Sequence, residues 1–183
     1  MGWQVLNVGG EDMAGFLGLT TNEPIACPGC GLLLPNRHAE KDVRYNASGE
    51  CLRKYNELAA YTIGKQDVHF IHQHALDAYA AQHAGSGMKP ITVAFALIGL
   101  YYALERGFTG RQVQRVHMLL ARQSRGWISL EPPKKPYSIT VGHVMDAPEE
   151  KRDAMIRSWM ADVWCVWSHQ HEWVRETCAA LLG

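Results

Sequence analysis

Cys27-Pro28-Gly29-Cys30-Gly31 carries the plainest chemistry in this chain. Two thiolates in a C-x-x-C turn can chelate one tetrahedral metal ion, and the glycines let the backbone curl tightly around it. A complete zinc ribbon would contain a second C-x-x-C, which this chain lacks. Further ligands must then come from elsewhere. Cys51 is the next thiol, and His69, His72, His74 and His83 follow it. The pattern implies one zinc centre that ties the N-terminal segment to the rest of the chain.

The same pair could serve as a redox dithiol or stay unliganded. Active dithiols usually sit at a helix N-terminus, where the dipole lowers the pKa of the first thiol. Here Gly31-Leu32-Leu33-Leu34-Pro35 follows, which reads as strand or loop. Chelation is therefore the better reading. Cys51 falls in the first turn of a helix, a place that favours thiolate and suits a nucleophile as well as a ligand. A knuckle about twenty residues upstream favours the ligand.

The fourth ligand follows from geometry. Ser48 can cap a helix running to about Ile63, with Gly64 at its stop, and Asp67 can cap the next, over residues 68–83. A short connection makes the two antiparallel. Reflection about residue 65 places Cys51 beside residues 78–80. His83 leans back toward it by about one turn, because helical side chains point toward their own N-terminus. His72 lies about 9 Å further along the axis. His83 is thus the first choice and His72 the second; Cys27, Cys30, Cys51 and His83 form the expected shell.

The elements around this centre are mostly helical. Residues 1–47, rich in glycine and turn signals, form an irregular metal-bound segment, with a short helix near Glu11 to Leu19 and short strands flanking the knuckle. Residues 48–183 form the helical body of what reads as a single domain over 1–183. Pro90 opens an apolar helix that Gly107 closes, and Thr109 with Gln112 makes a capping box for 110–123. Pro132, Pro133 and Pro136 make Gly126 to Ser138 an extended loop. Thr140 caps a short helix to Met145. Ile156, Trp159, Val163, Val166, Trp167, Val174, Cys178 and Leu181 then step by three or four. One straight helix over that stretch would span roughly 50 Å, so a bend near Ser168-His169 is expected. The fold class is mainly α, a helical bundle with an irregular N-terminal zinc-knuckle segment.

Composition excludes more than it assigns. Lysine plus arginine equals aspartate plus glutamate at 18 each, which offers no electrostatic reason for a nucleic-acid or anionic-membrane partner. Ile91 to Leu104 is apolar over 14 residues, too short to cross a membrane and right for a central buried helix. Five cysteines are an odd number, and Cys165 and Cys178 read as small hydrophobes in the last helical stretch. The start of the chain has no signal-peptide pattern, so a reducing cytoplasm is expected.

A second polar set, His72, Asp77 and His171, together with His83, could bind a metal or share a proton. Asp77 lies about 140° around the helix from His72, so a compact site would need His171 to fold in from the last helix. His117, among Val113, Val116 and Leu120, reads as a partly buried ring; His38 and His143 read as loop and helix-start residues. Two classes of function follow. One is a zinc-stabilised helical module that binds an unknown protein or small molecule. The other is a metal-dependent enzyme, a hydrolase or thiol transferase, with an open coordination position and a pocket lined by Trp159, Trp167 and His171.

The chain resembles an uncharacterised bacterial family of helical proteins containing CPGCG, a domain of unknown function. The matching pieces run in order: Cys27 to Gly31, Arg44-Tyr45, Cys51, His72 through Asp77-Ala78-Tyr79 to Gln82-His83, Leu104-Glu105-Arg106-Gly107, Leu130-Glu131-Pro132-Pro133, and Trp164 through Trp167 to His171, Val174 and Arg175. The family tends to have histidine where Val43 stands, so that position supplies no ligand here. It also tends to have proline near His169, in keeping with a bend. The resemblance supports the metal reading and implies no particular activity.

Overall fold

Pro24–Ala26 (β1) and Leu33–Pro35 (β2) pair antiparallel across the knuckle, with Ile25 opposite Leu34. Prolines at their outer ends keep both strands short. The computed structural model describes residues 23–123 and 126–182. The helix expected near Glu11 to Leu19 lies outside the described residues.

Ser48 caps α1 (Gly49–Gly64), its hydroxyl accepting the Cys51 N–H at 3.2 Å. The connection that follows differs from expectation. Gly64 is the last helical residue, and Gln66 and Phe70 carry the left-handed backbone, at φ +49° and +57°. Asp67 does not start a helix directly; its carboxylate accepts the N–H groups of His69 and Ile71, and α2 (Ile71–Gln82) begins only after this turn. The hairpin consequently turns about Asp67 rather than residue 65. Three contacts share that register: Cys51 with His83, Tyr55 stacked on Tyr79, and Thr62 with His72.

Pro90 occupies the first turn of α3 (Pro90–Glu105). Thr109 and Gln112 form the capping box of α4 (Gly110–Ala121). The Thr140 N–H donates to His143 Nδ1 at the start of α5 (Val141–Asp146). The final stretch divides into α6 (Glu149–Val166) and α7 (His171–Leu182), separated by one 3-10 turn at Ser168–Gln170, where the bend was expected. With seven helices and a single two-stranded sheet among the described residues, the fold is mainly α.

Helix α2 is the hub, packed against α1, α3, α4 and α6. Ala75, Ala78, Ala80 and Ala81 let these neighbours approach closely, and all four are buried. On α3, Val93, Leu97, Ile98 and Leu100 are buried, the last turn is half-buried, and no large side chain from 91 to 104 is exposed. The central position is thus shared: α3 is enclosed in its middle, α2 almost throughout. From the last stretch, Ile156, Trp159, Val163, Trp167, Val174 and Cys178 are buried as their spacing requires. Cys165 is exposed and does not join the core. No described helix is long and apolar enough to cross a membrane.

Candidate metal centre

Three parts of the chain converge on one point. The turn between β1 and β2 supplies Cys27 and Cys30, the first turn of α1 supplies Cys51, and His83 follows the last residue of α2. Their ligand atoms all lie within 4.8 Å of one another, and all four residues are buried. The Sγ atoms of Cys30 and Cys51 are 3.7 Å apart, and His83 Nε2 is 3.3 Å from Cys51 Sγ. A tetrahedral ion with metal–sulfur bonds near 2.3 Å separates two sulfurs by about 3.8 Å, so the spacing fits a closed four-ligand shell.

Local structure explains each contribution. The backbone of the turn closes through Gly31 N–H to the Cys27 carbonyl and Cys27 N–H to the Leu32 carbonyl. Gly31 lies at φ +76°, where a side chain would be strained. At Gly29 a β-carbon would overlap the Asn46 carbonyl and crowd the His83 ring, so glycine lets the knuckle press directly on the helical body. The Ser48 N–H points at Cys27 Sγ from 3.4 Å. His83 Nδ1 faces the Tyr79 carbonyl at 2.9 Å. A carbonyl only accepts, so Nδ1 carries the proton and Nε2 presents its lone pair to the thiols, the tautomer a metal ligand needs.

The electrostatics also call for a cation. Hydrogen bonds from Cys30 and Cys51 pull the Cys27 thiol far below the ordinary thiol range. The Cys27 interaction, reinforced by burial, pushes Cys30 up to about 12 and Cys51 higher still. One negative charge is thus comfortable in the cluster and further ones are not. A divalent ion removes that opposition, because all three sulfurs can then ionise against it.

The second polar set is not assembled. His72 Nδ1 shares a hydrogen bond with the Thr62 hydroxyl at 2.9 Å. His171 stacks on Trp164 and reaches its carbonyl at 2.9 Å. Asp77 is fully buried between α2 and α3 and accepts from the Gln73 amide at 3.0 Å. Trp159 and Trp167 are core residues rather than pocket walls. Their indole N–H groups donate to Gln82 Oε1 and the Ala81 carbonyl, and the Gln82 amide donates onward to the Ile139 carbonyl. The roles of Gln73, Gln82 and Tyr79 were not apparent from sequence, because each depends on which helices become neighbours.

No curated protein and no solved structure matches the chain. A family model does match, over residues 25–168, a span that holds all four converging side chains and every described element from the knuckle's second strand through α6. This chain therefore belongs to the family of unknown function DUF5946.

Proposed function

We propose that this protein is a zinc-stabilised helical interaction module. One Zn²⁺ would be held by Cys27, Cys30, Cys51 and His83, and its contribution would be to fasten the knuckle to the α1–α2 hairpin. The observation that carries this reading is the buried four-ligand cluster, since catalytic zinc keeps a coordination position open for water or substrate. Thiolate and imidazole donors together suit zinc better than magnesium or calcium, which take oxygen ligands. A reducing compartment such as the cytoplasm would keep the exposed Cys165 and the cluster thiols available. The helical body would supply the surface for a protein or small-molecule partner.

Metal analysis of the purified full chain, with X-ray absorption at the zinc edge, tests this directly. About one zinc per chain in a three-sulfur, one-nitrogen shell is expected. Metal-free protein that folds identically, or a shell containing a water oxygen in place of a protein ligand, would overturn the structural assignment.

A further inference from the structure

On the side of α2 that faces α3 and α4, a cavity of about 420 Å³ opens beneath Arg44 and Tyr45. Its walls are apolar: Leu76, Ala80, Ile91, Phe95 and Ala96. That size and lining are typical of a small-molecule site, where a few placed polar groups fix the ligand. The polar groups on the helices here are Gln73, Asp77, Thr92 and His117.

Their hydrogen bonds diverge from the Gln73 amide. His117 Nε2 lies 2.9 Å from the Phe95 carbonyl, so it carries the proton and leaves Nδ1 as an acceptor. The Gln73 amide nitrogen stands 3.4 Å from that Nδ1 and donates to Asp77 Oδ1 at 3.0 Å. Asp77 Oδ2 is buried with no hydrogen-bond partner. Room for it exists because residue 99 is glycine; a β-carbon there would overlap Oδ2. A carboxyl oxygen left unpaired in the interior is costly, and native proteins seldom leave one without a use. Burial raises the pKa of Asp77 well above the ordinary carboxylate range, as expected of a group awaiting a counter-charge.

We propose that this cavity binds a small organic amine, its protonated nitrogen donating to Asp77 and its apolar body lying against Leu76, Ile91 and Phe95. The charge pattern sets the sign of the ligand. Asp77 and His117 Nδ1 present acceptors, and the Gln73 amide already donates toward both, so the floor complements a cation better than an anion. Arg44, the guanidinium at the mouth, donates to both carboxylate oxygens of Asp42, from Nε to Oδ1 at 3.1 Å and from Nη2 to Oδ2 at 2.6 Å. An ammonium group at the cavity wall gives the Asp77 carboxyl a charged partner.

The test uses the full-length protein with its metal in place, and benzylamine and cyclohexylmethylamine as probes, each against its isosteric alcohol, by calorimetry and by chemical-shift mapping. The amines should bind and the alcohols should bind at least about tenfold more weakly, the range set by one charge-assisted hydrogen bond. Asp77→Asn should lose a similar factor. Ile91→Trp, which fills the cavity and leaves Asp77 intact, should abolish binding, and it decides the matter if Asp77→Asn fails to fold. Equal affinity for amine and alcohol, binding unaffected by Ile91→Trp, or no binding of either amine would overturn the assignment. Metal content is unaffected by any of these outcomes, so this site and the metal centre stand or fall separately.

Discussion

His83 and Asp77 belong to the same buried segment, less than two helical turns apart, and face opposite polar environments. Both ring nitrogens of His83 and the Cys27 sulfur have complements. The Nδ1–H meets the Tyr79 carbonyl, Nε2 meets Cys51, and the Ser48 N–H meets Cys27. Around Asp77 one oxygen is satisfied and the other is not. The lesson concerns what each arrangement lacks. The cluster brings four converged ligand atoms together in the interior, the arrangement of a site whose occupant would belong to the fold. The Asp77 floor sits under a cavity, which marks a site whose occupant can come and go.

The largest effect should come from breaking the first region. Cys51→Ser or thorough chelation should remove the metal and loosen the knuckle. The loss should be several kcal/mol, a large share of the roughly 5–15 kcal/mol that holds an ordinary domain together. Denaturant unfolding with and without zinc measures it. A variant that keeps its metal and its midpoint would break the contrast at its root. His83→Ala should release zinc more readily than His72→Ala, because His72 bonds Thr62 and stands apart from the cluster.

Leu97→Ala serves as the apolar control. Leu97 is wholly enclosed on α3, and its truncation should cost roughly 2–5 kcal/mol through lost transfer energy and a residual cavity. Zinc stoichiometry should stay unchanged. If truncation cost less than about 1 kcal/mol, α3 would not be the packed partner of α2 described above.

How much of this was legible beforehand depended on the range of the interactions. The knuckle was legible because two glycines and two cysteines within five residues leave one sensible geometry. Ser48, Pro90, the Thr109–Gln112 box and the bend at Ser168 were legible because caps and breakers act within a turn. The hairpin register was nearly so, and missed by two residues because Gln66 and Phe70 adopt left-handed backbone that neither residue type advertises. The hub role of α2 was hidden, since four of its nine buried residues are alanine and three are Gln73, Asp77 and Gln82, which carry little periodic hydrophobicity. The Gln82–Trp159 and Gln73–His117 contacts join residues far apart in sequence, so only the packed helices reveal them.

Asp77 offers a pH test of the second region. Its folded-state pKa is raised above the unfolded value of about 3.9, so the folded protein holds a proton that the unfolded chain releases. Stability from this group is then full below that unfolded value and is lost as pH rises toward the folded one, by about 1.4 kcal/mol per unit. Asp77→Asn has no proton to lose. Its stability relative to wild type, with zinc bound in both, should improve as pH rises from about 5 toward the folded-state pKa. His117, held down to about 4 chiefly by burial, stays neutral across that window and does not confuse the comparison. A constant difference between the two proteins would mean that Asp77 is already ionised and paired.

Tyr79 joins the two regions and sets the smallest expected effect. Its carbonyl orients His83, its ring stacks on Tyr55 and lies 4.0 Å from the His83 ring, and its buried hydroxyl has no hydrogen-bond partner. Burial raises the pKa of that hydroxyl, and the Cys51 sulfur adds to the shift, so the two groups are within electrostatic reach. A protonated Cys51 is a weak acceptor, whereas a metal-bound thiolate accepts well. Tyr79→Phe keeps the ring and the carbonyl and removes only the hydroxyl. In metal-free protein it should be neutral or slightly stabilising, because an unpaired buried group is gone. In zinc-loaded protein it should cost about 0.5–1.5 kcal/mol, one net hydrogen bond. Unfolding both proteins with and without zinc gives the four free energies needed, and their double difference isolates the hydroxyl–sulfur coupling. A difference near zero would leave the hydroxyl as a second orphan beside Asp77, and the metal centre would be no better satisfied than the cavity floor.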